Sequence, residues 1–193
     1  MGDYYKTKES VQEYIKLARG HDGAENIALL KNFLPENAHL LEIGSGPGTD
    51  WAILQNYYEI TGSDNSPEFL RRLNESFREG EFLNLEASTL KTDLKFDGIY
   101  SNKVLHHLED EALESSIKRQ AEILHPGGVV CHTFWRGEDS ETYNDLFVNY
   151  HSDTGLRELF EDRFEPLLIK YYKEFEENDS ILYIGKKKRA LPL

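Results

Sequence analysis

Three glycines at alternate positions, Gly44, Gly46 and Gly48, stand in the segment LLEIGSGPGTD directly after a short apolar run. Side chains are missing where a backbone must turn sharply or approach something closely. Placed between a buried strand and a helix, such a loop offers unpaired N–H groups to a ligand beyond the carboxyl end of a sheet. A tight strand-to-helix turn would use the same residues, so the neighbours decide what chemistry is meant. Glu42, two residues before Gly44, would repel a pyrophosphate and suits a ligand that carries positive charge. The dinucleotide fingerprint GxGxxG also fails, because its third glycine falls at position 49, which is Thr49. Asp64, 20 residues after Gly44, stands where a carboxylate accepts from both hydroxyls of a ribose. Glu86 could accept from the exocyclic amine of an adenine, with Ala87 and Ser88 offering backbone contacts; taken singly it reads as a surface residue.

Histidines supply the second candidate chemistry. His106 and His107 follow a strand and open toward the same crevice, where either could take a proton from a hydroxyl, amine or thiol. His132, inside a strand, reads as a satisfied core residue. Adjacent histidines are poorly spaced for one metal and no CxxC or HxxxH supports them, so no metal site is expected.

These residues need a frame, and the periodicities provide one. Strand-like runs cover 39–43, 58–62, 82–85, 96–101 and 129–135, with helix-period segments between them. The clearest helix runs over 110–124, with Leu113, Ile117, Ala121 and Leu124 on one face and Pro126 and Gly127 beyond its end. Another begins where Ser66 can cap and Pro67 occupies the first helical position. Alternating strands and helices mean βαβ units and a mostly parallel sheet. After a helix over 153–164, strands at 166–175 and 180–186 follow each other with no helix between, which makes an antiparallel hairpin. Residues 1–37 read as a helical appendage, with amphipathic stretches around Val11–Ala18 and Ile27–Leu34, and 38–193 as one α/β domain.

Composition narrows the function. A chain of 193 residues with 39% apolar side chains fills one core, and a formal charge of −13 disfavours nucleic acid as an obligatory partner. The lone Cys131 excludes an internal disulfide and multi-thiol chemistry and fits a reducing, cytoplasmic compartment. No apolar signal region and no run of about 18 apolar residues appears, so no membrane partner is expected. The basic run at 186–189 reads as a solvated tail.

Taken together, Glu42 with the three glycines, Asp64 within GSDNSPEFL, Glu86 with Ala87, FDGIYSNKVLHHL at 96–108 and LHPGGVV at 124–130 resemble the class I S-adenosylmethionine-dependent methyltransferase family. The resemblance covers residues 38–186 and implies a doubly wound, mostly parallel seven-stranded sheet with a C-terminal antiparallel hairpin and helices on both faces, the Rossmann-like methyltransferase fold. It implies S-adenosylmethionine as cofactor and S-adenosylhomocysteine as product. It places Gly44, Ser45 and Gly46 along the cofactor, Asp64 and Asn65 at the ribose, Glu86 and Ala87 near the adenine, and Ser101 and Asn102 near the amino-acid end. Glu86 stands where an Asp is commoner. The segment SNKV differs from the Asn/Asp-Pro-Pro-aromatic run of enzymes acting on exocyclic amines, and Cys131 lacks the Pro-Cys context of cytosine-carbon enzymes. The expected partner is therefore a small-molecule substrate with an O, N or S nucleophile. His107, and His106 beside it, are the candidate bases. Tyr4, Tyr5, Tyr14 and Trp135 are candidate aromatic contacts for a sulfonium, or simply packing. The N-terminal helices and residues 136–151 are left to cover a substrate, with a hinge between Gly20 and Gly23. Two alternatives stay open: a non-catalytic cofactor-binding or scaffold protein, and an NAD-dependent oxidoreductase.

Overall fold

The computed structural model describes residues 7–17, 20–143 and 146–189. Its elements run α1 (Lys8–Leu17), α2 (Ala24–Leu30), β1 (His39–Ile43), α3 (Thr49–Leu54), β2 (Glu59–Asp64), α4 (Pro67–Ser76), β3 (Glu81–Asn84) and β4 (Phe96–Asn102). A 3-10 turn (Leu105–His107) leads into α5 (Asp110–Ile123), β5 (Leu124–Trp135), β6 (Ser140–Tyr143), β7 (Leu146–Asn149), α6 (Asp153–Phe160), β8 (Phe164–Tyr172) and β9 (Ser180–Lys187).

Seven strands form one sheet in the order β3-β2-β1-β4-β5-β9-β8. The first five are parallel, and β9 enters antiparallel between β5 and β8. The chain steps outward from β1 to β2 and β3, then returns to β4 on the other side of β1. That reversal opens a crevice beyond the carboxyl ends of β1 and β4, the place where doubly wound sheets bind ligands.

Both faces of the sheet are covered, and the period of two along each strand divides the core accordingly. Leu41, Ile43, Ile99, Phe134 and Tyr183 pack with Leu113, Ile117 and Phe160 on one face. Leu40, Tyr100, Leu182 and Ile184 pack with Ile27, Leu30 and Leu34 on the other. Residues 24–34 are thus part of the central core, and the boundary read at residue 37 cuts through it. Helix α1 packs on α4, where the Tyr14 and Phe69 rings meet edge-on with centroids 5.9 Å apart, and buries Val11.

Local signals act as their chemistry dictates. Ser66 accepts from the Phe69 N–H at 3.3 Å and Pro67 opens α4. Strand β5 begins at Leu124, five residues before the run that periodicity marks, because Gly127 adopts φ +80° and a register shift between Phe96 and Gly98 accommodates it. Helix α6 ends at Phe160, where burial of Phe160 and Phe164 against each other starts β8. The β6–β7 hairpin and the 3-10 turn carry no sequence pattern of their own, being short and stabilised by contact with each other. No helix among the described residues is long and apolar enough to cross a membrane.

Candidate functional site

The three glycines of the β1–α3 loop all have positive φ, +71° at Gly44, +50° at Gly46 and +83° at Gly48, but they answer different needs. A Cβ on Gly44 would lie 2.6 Å from Val104 Cγ2, and one on Gly48 would lie 2.6 Å from Phe77 and 2.8 Å from Leu73. Those two glycines let the loop close against its own fold. A Cβ on Gly46 would meet nothing nearer than 4.0 Å, and Gly46 lines the cleft. Its bare backbone faces the space a ligand would take.

Asp64 at the end of β2 is locked in place by backbone donors. The Gly46 N–H donates to Oδ2 at 2.9 Å and the Ser66 N–H to Oδ1 at 2.8 Å. These donors fix the carboxylate while leaving it lone-pair capacity for a hydroxyl. Burial raises the Asp64 pKa, and backbone hydrogen bonds from Ser66, Gly46 and Asn65 work against that rise. Asn65, next in the chain, lines the cleft and donates from Nδ2 to Glu86 Oε2 at 3.0 Å, so the two polar residues form one rim. Ala87 also lines the cleft, and Ser116 on α5 donates to its carbonyl at 2.7 Å.

Below the loop lies a network that no motif announced. Asp50, in the first turn of α3, accepts from the Gly23 N–H at 2.7 Å, from the Tyr100 hydroxyl at 2.7 Å and from Asn102 Nδ2 at 2.9 Å. Thr133 donates to Asn102 Oδ1 at 2.6 Å and accepts from the Lys103 N–H at 2.9 Å. One carboxylate therefore ties the start of α2 to the end of β4. Glu42 is buried beside it, with Oε2 lacking any hydrogen-bond partner. Burial, then the charge of Asp50, pushes the Glu42 pKa up to about 8. Among the described residues, no Lys, Arg or His stands within ion-pair distance of Glu42, Asp50 or Asp64. Of these buried acids, Asp50 and Asp64 are held by hydrogen-bond donors and Glu42 keeps one oxygen unpartnered.

The cleft encloses about 500 Å³ of atom-free space, partly open to solvent. Gly46, Asp64, Asn65, Tyr14, Lys103 and His107 are among the residues that line it. Tyr14 is held neutral there, its pKa pushed up to about 12 by burial and then by the charges of Asp50 and Asp64.

Several residues singled out from the sequence stand elsewhere. Ser101 is fully buried and its hydroxyl donates to His132 Nδ1 at 2.8 Å, while His132 Nε2 donates to Gln120 Oε1 at 2.8 Å. Neighbouring residues of a strand point their side chains to opposite faces, and those of Ser101 and Asn102 do so. Asn102 reaches Asp50 and Thr133 rather than the cleft. Ser45 is buried and accepts from the Ser63 N–H at 3.1 Å. His106 is buried and neutral, its pKa driven far down by burial, and does not line the cleft. Trp135 is occupied by Lys103, whose Nζ sits 3.2 Å from its ring centroid, and stacks on Phe175. Tyr4 and Tyr5 lie outside the described residues. His132 is a satisfied core residue, kept uncharged by burial at a pKa of about 3.

His107 does line the cleft. Its Nδ1 lies 2.7 Å from the Phe147 carbonyl of β7, and since a carbonyl only accepts, Nδ1 carries the hydrogen. Burial lowers its pKa, opposed by that hydrogen bond, so the ring is neutral at pH 7 with Nε2 as its basic nitrogen. Lys103 is the lining cation that sequence reasoning missed. Held at φ +55°, it directs Nζ to Ser180 Oγ at 2.6 Å and to the Phe134 carbonyl at 3.2 Å. Burial brings its pKa down to about 7 against the pull of Glu174 and Asp179. Its one available signal was position, directly after β4.

Comparison with known proteins bears on this geometry. Residues 40–128 match the family described as a methyltransferase domain. A trans-aconitate 2-methyltransferase of Azoarcus sp. (strain BH72) is 26% identical over 135 residues, 68% of this chain and 53% of that protein. One from Variovorax paradoxus (strain S110) is 34% identical over 102 residues, 51% of this chain and 39% of that protein. The chain therefore spans about half, or less, of the length of these curated relatives. Among solved structures, Burkholderia thailandensis 1,6-didemethyltoxoflavin-N1-methyltransferase, with bound 1,6-didemethyltoxoflavin and S-adenosylhomocysteine, superposes with a TM-score of 0.74 at 20% identity over 94% of this chain and 89% of that one. N-methyltransferase NodS from Bradyrhizobium japonicum WM9, in complex with S-adenosylhomocysteine, gives 0.73 at 16% identity over 97% and 100%. At these identities the likeness is one of fold.

Proposed function

We propose that this chain, a member of the class I S-adenosylmethionine-dependent methyltransferase family, catalyses methyl transfer from S-adenosylmethionine to a small-molecule nucleophile in the cleft at the ends of β1 and β4. The observation that carries this reading is the cleft at the glycine loop, where Gly46 presents bare backbone and the buried Asp64, fixed by backbone N–H groups, lines the space beside Asn65. Glu42 keeps a buried oxygen without a hydrogen-bond partner, and a ligand bearing a sulfonium and an ammonium beside it favours its ionised form. The relatives named for trans-aconitate and for 1,6-didemethyltoxoflavin support a small molecule as acceptor.

In this reading Asp64 and Asn65 hold the ribose, the Asn65–Glu86 rim and Ala87 border the adenine, Gly44 and Gly46 pass beside the ligand, and Glu42 faces its positive end. S-adenosylmethionine supplies a methyl group already activated on sulfur, which leaves as a neutral thioether. The protein's share is alignment, and positioning of this kind contributes roughly 7 to 11 kcal/mol to lowering a barrier. Tyr14 on α1 closes the cleft and shields it from water. His107 Nε2 receives the proton that an O–H or N–H acceptor gives up.

A thermal-shift titration with S-adenosylmethionine and S-adenosylhomocysteine, with NADH as control, tests the cofactor. Ligand at 100 times its Kd stabilises a protein by about 2.7 kcal/mol, a visible rise in Tm. Shifts with both sulfur compounds and none with NADH are expected; no shift at millimolar concentration rejects the reading. Consumption of the cofactor in the presence of small acceptors then separates an enzyme from a binding protein.

A further inference from the structure

Resting on the reading of the cleft as an S-adenosylmethionine site with Glu86 and Ala87 beside the adenine, we infer that Ser101, His132, Gln120 and Ser116 form a positioning device that selects the purine. Their chain of hydrogen bonds holds the Ala87 carbonyl back from the cleft. A purine whose ring edge brings a lone pair to that place, as adenine does, is then favoured over a 6-oxopurine, whose N1 brings a hydrogen.

The direction of every hydrogen in the chain follows from its cleft end. A carbonyl only accepts, so the Ser116 hydroxyl spends its one hydrogen on the Ala87 oxygen at 2.7 Å. Gln120 Nε2 therefore donates to Ser116 Oγ at 3.2 Å, which turns Gln120 Oε1 to His132 Nε2 at 2.8 Å. That oxygen accepts, so His132 carries its hydrogen on Nε2, and burial keeps the ring uncharged. Nδ1 is left to accept from the Ser101 hydroxyl at 2.8 Å. All four side chains belong to fully buried residues, where aligned hydrogen bonds reinforce one another and a broken one is costly. The far end is anchored as well, because Ser101 precedes Asn102, which donates to Asp50.

What the chain holds is a wall of the cleft. Ala87 lines the cleft, whereas the fully buried Ser116 on α5 does not, so a carbonyl aimed at Ser116 is turned from the ligand space. Further along the same connection, Arg119 of α5 donates from Nε to the Leu90 carbonyl at 3.2 Å and from Nη2 to the Thr92 carbonyl at 2.6 Å. The connection therefore stays docked on α5 when Ser116 is altered, and the change is confined to the Ala87 peptide.

Purine chemistry turns this placement into selectivity. With Glu86 accepting from the exocyclic amine of adenine, the ring nitrogen beside that amine falls next to Ala87, the following residue. In adenine this nitrogen carries a lone pair, which a carbonyl facing the cleft would repel. In hypoxanthine it carries a hydrogen, which the same carbonyl would accept. Ser116 gives the carbonyl its hydrogen elsewhere and so withholds from a 6-oxopurine the partner its N–H needs; an unpaired N–H in a closed site is costly.

Calorimetric titration of the full chain with S-adenosylhomocysteine and with its hypoxanthine counterpart, S-inosylhomocysteine, tests the inference. The two ligands share ribose and amino acid, so a general loosening of the site weakens both by one factor and leaves their ratio alone. The parent is expected to prefer the adenine compound by about 100-fold or more. Ser116→Ala frees the Ala87 carbonyl, and the preference is expected to narrow by about tenfold; it narrows rather than vanishes because Glu86 is untouched. Gln120→Met keeps the Ser116 hydroxyl but removes its support, and a narrowing of about threefold is expected, which decides the matter should Ser116→Ala not fold. An unchanged or wider ratio in the folded variants overturns the inference, as does a parent that binds both ligands equally. Failure of the parent to bind S-adenosylhomocysteine at all removes the reading of the site beneath it.

Discussion

The hydroxyl of Tyr100, on β4, donates to Oδ2 of Asp50, on α3, at 2.7 Å in the interior of the protein. Because Asp50 also receives the Gly23 N–H and Asn102 Nδ2, it joins the sheet, the glycine loop's helix and the start of α2. Tyr100→Phe removes one donor and leaves the carboxylate two, so a loss of about 1 kcal/mol is expected. Asp50→Ala strands three donors and is expected to cost about 3 kcal/mol or more. Urea denaturation checks both, and the double variant should lose less than the sum of the two, since they share one bond.

The loop glycines separate fold from binding. Gly48→Ala places a methyl against Phe77 and Leu73 as well as straining φ, and should lose about 1 to 3 kcal/mol beyond the strain itself. Gly46→Ala carries only the strain of a left-handed residue, about 1 to 2 kcal/mol. Its methyl projects toward the cleft, so affinity for S-adenosylhomocysteine should fall by roughly tenfold or more while Tm falls less than in Gly48→Ala. Calorimetric titration beside thermal melts distinguishes the two; equal binding by Gly46→Ala and the parent would show that the ligand does not pass that residue.

Glu42 links cofactor binding to protons. Its folded pKa, about 8, lies above the ordinary carboxylate value of 4.5, so the folded protein holds a proton that the unfolded chain gives up between those values. Stability without ligand therefore falls as pH rises through that window, and Glu42→Gln should flatten the slope. A cationic ligand beside Glu42 lowers its pKa again, so binding at pH 7 should release about one proton. Titration calorimetry in buffers of different ionisation enthalpy reads that release, which Glu42→Gln should abolish.

His132 contributes the opposite slope. Its pKa falls from 6.5 to about 3 through burial, so the unfolded chain binds a proton that the native core refuses. Stability from this group is complete above about pH 6.5 and declines as pH drops toward 3. His132→Gln should weaken the fold at pH 7, where the Ser101 hydroxyl and the Gln120 carbonyl lose well-aligned partners, but show a shallower acid decline than the parent. Melts between pH 4 and 8 give both numbers.

The cover over the cleft is expected to be α1 rather than the whole of residues 1–37, because Ile27, Leu30 and Leu34 belong to the core. Deleting residues 1–20 removes Tyr14 and its contact with Phe69 while keeping the Gly23–Asp50 bond. Affinity for S-adenosylhomocysteine should drop by about tenfold or more with a Tm change of only a few degrees. Unchanged affinity would rule out α1 as a lid.

Much of this protein was legible in its residues because the signals are local. Alternating hydrophobicity marks β1, Ser66 and Pro67 start α4, and the glycine spacing marks the loop, since each depends on sterics and hydrogen bonds within a few positions. The order of strand and helix, with a final hairpin, determined the topology of the sheet and with it the place of the crevice, because parallel crossovers leave few alternatives.

What only the tertiary structure decided are relationships between distant positions. Asp50 acquired its role from Gly23, Tyr100 and Asn102, none of them near it in the chain. Ser101 and His132 were turned toward each other, away from the cleft, by which face of β4 and β5 each falls on. The tautomer of His107 rests on a carbonyl 40 residues away, in a hairpin too short to announce itself by pattern. Sequence spacing determines which groups are present and on which element; burial, field and hydrogen-bond partners, which set what those groups do, exist only once the elements have packed.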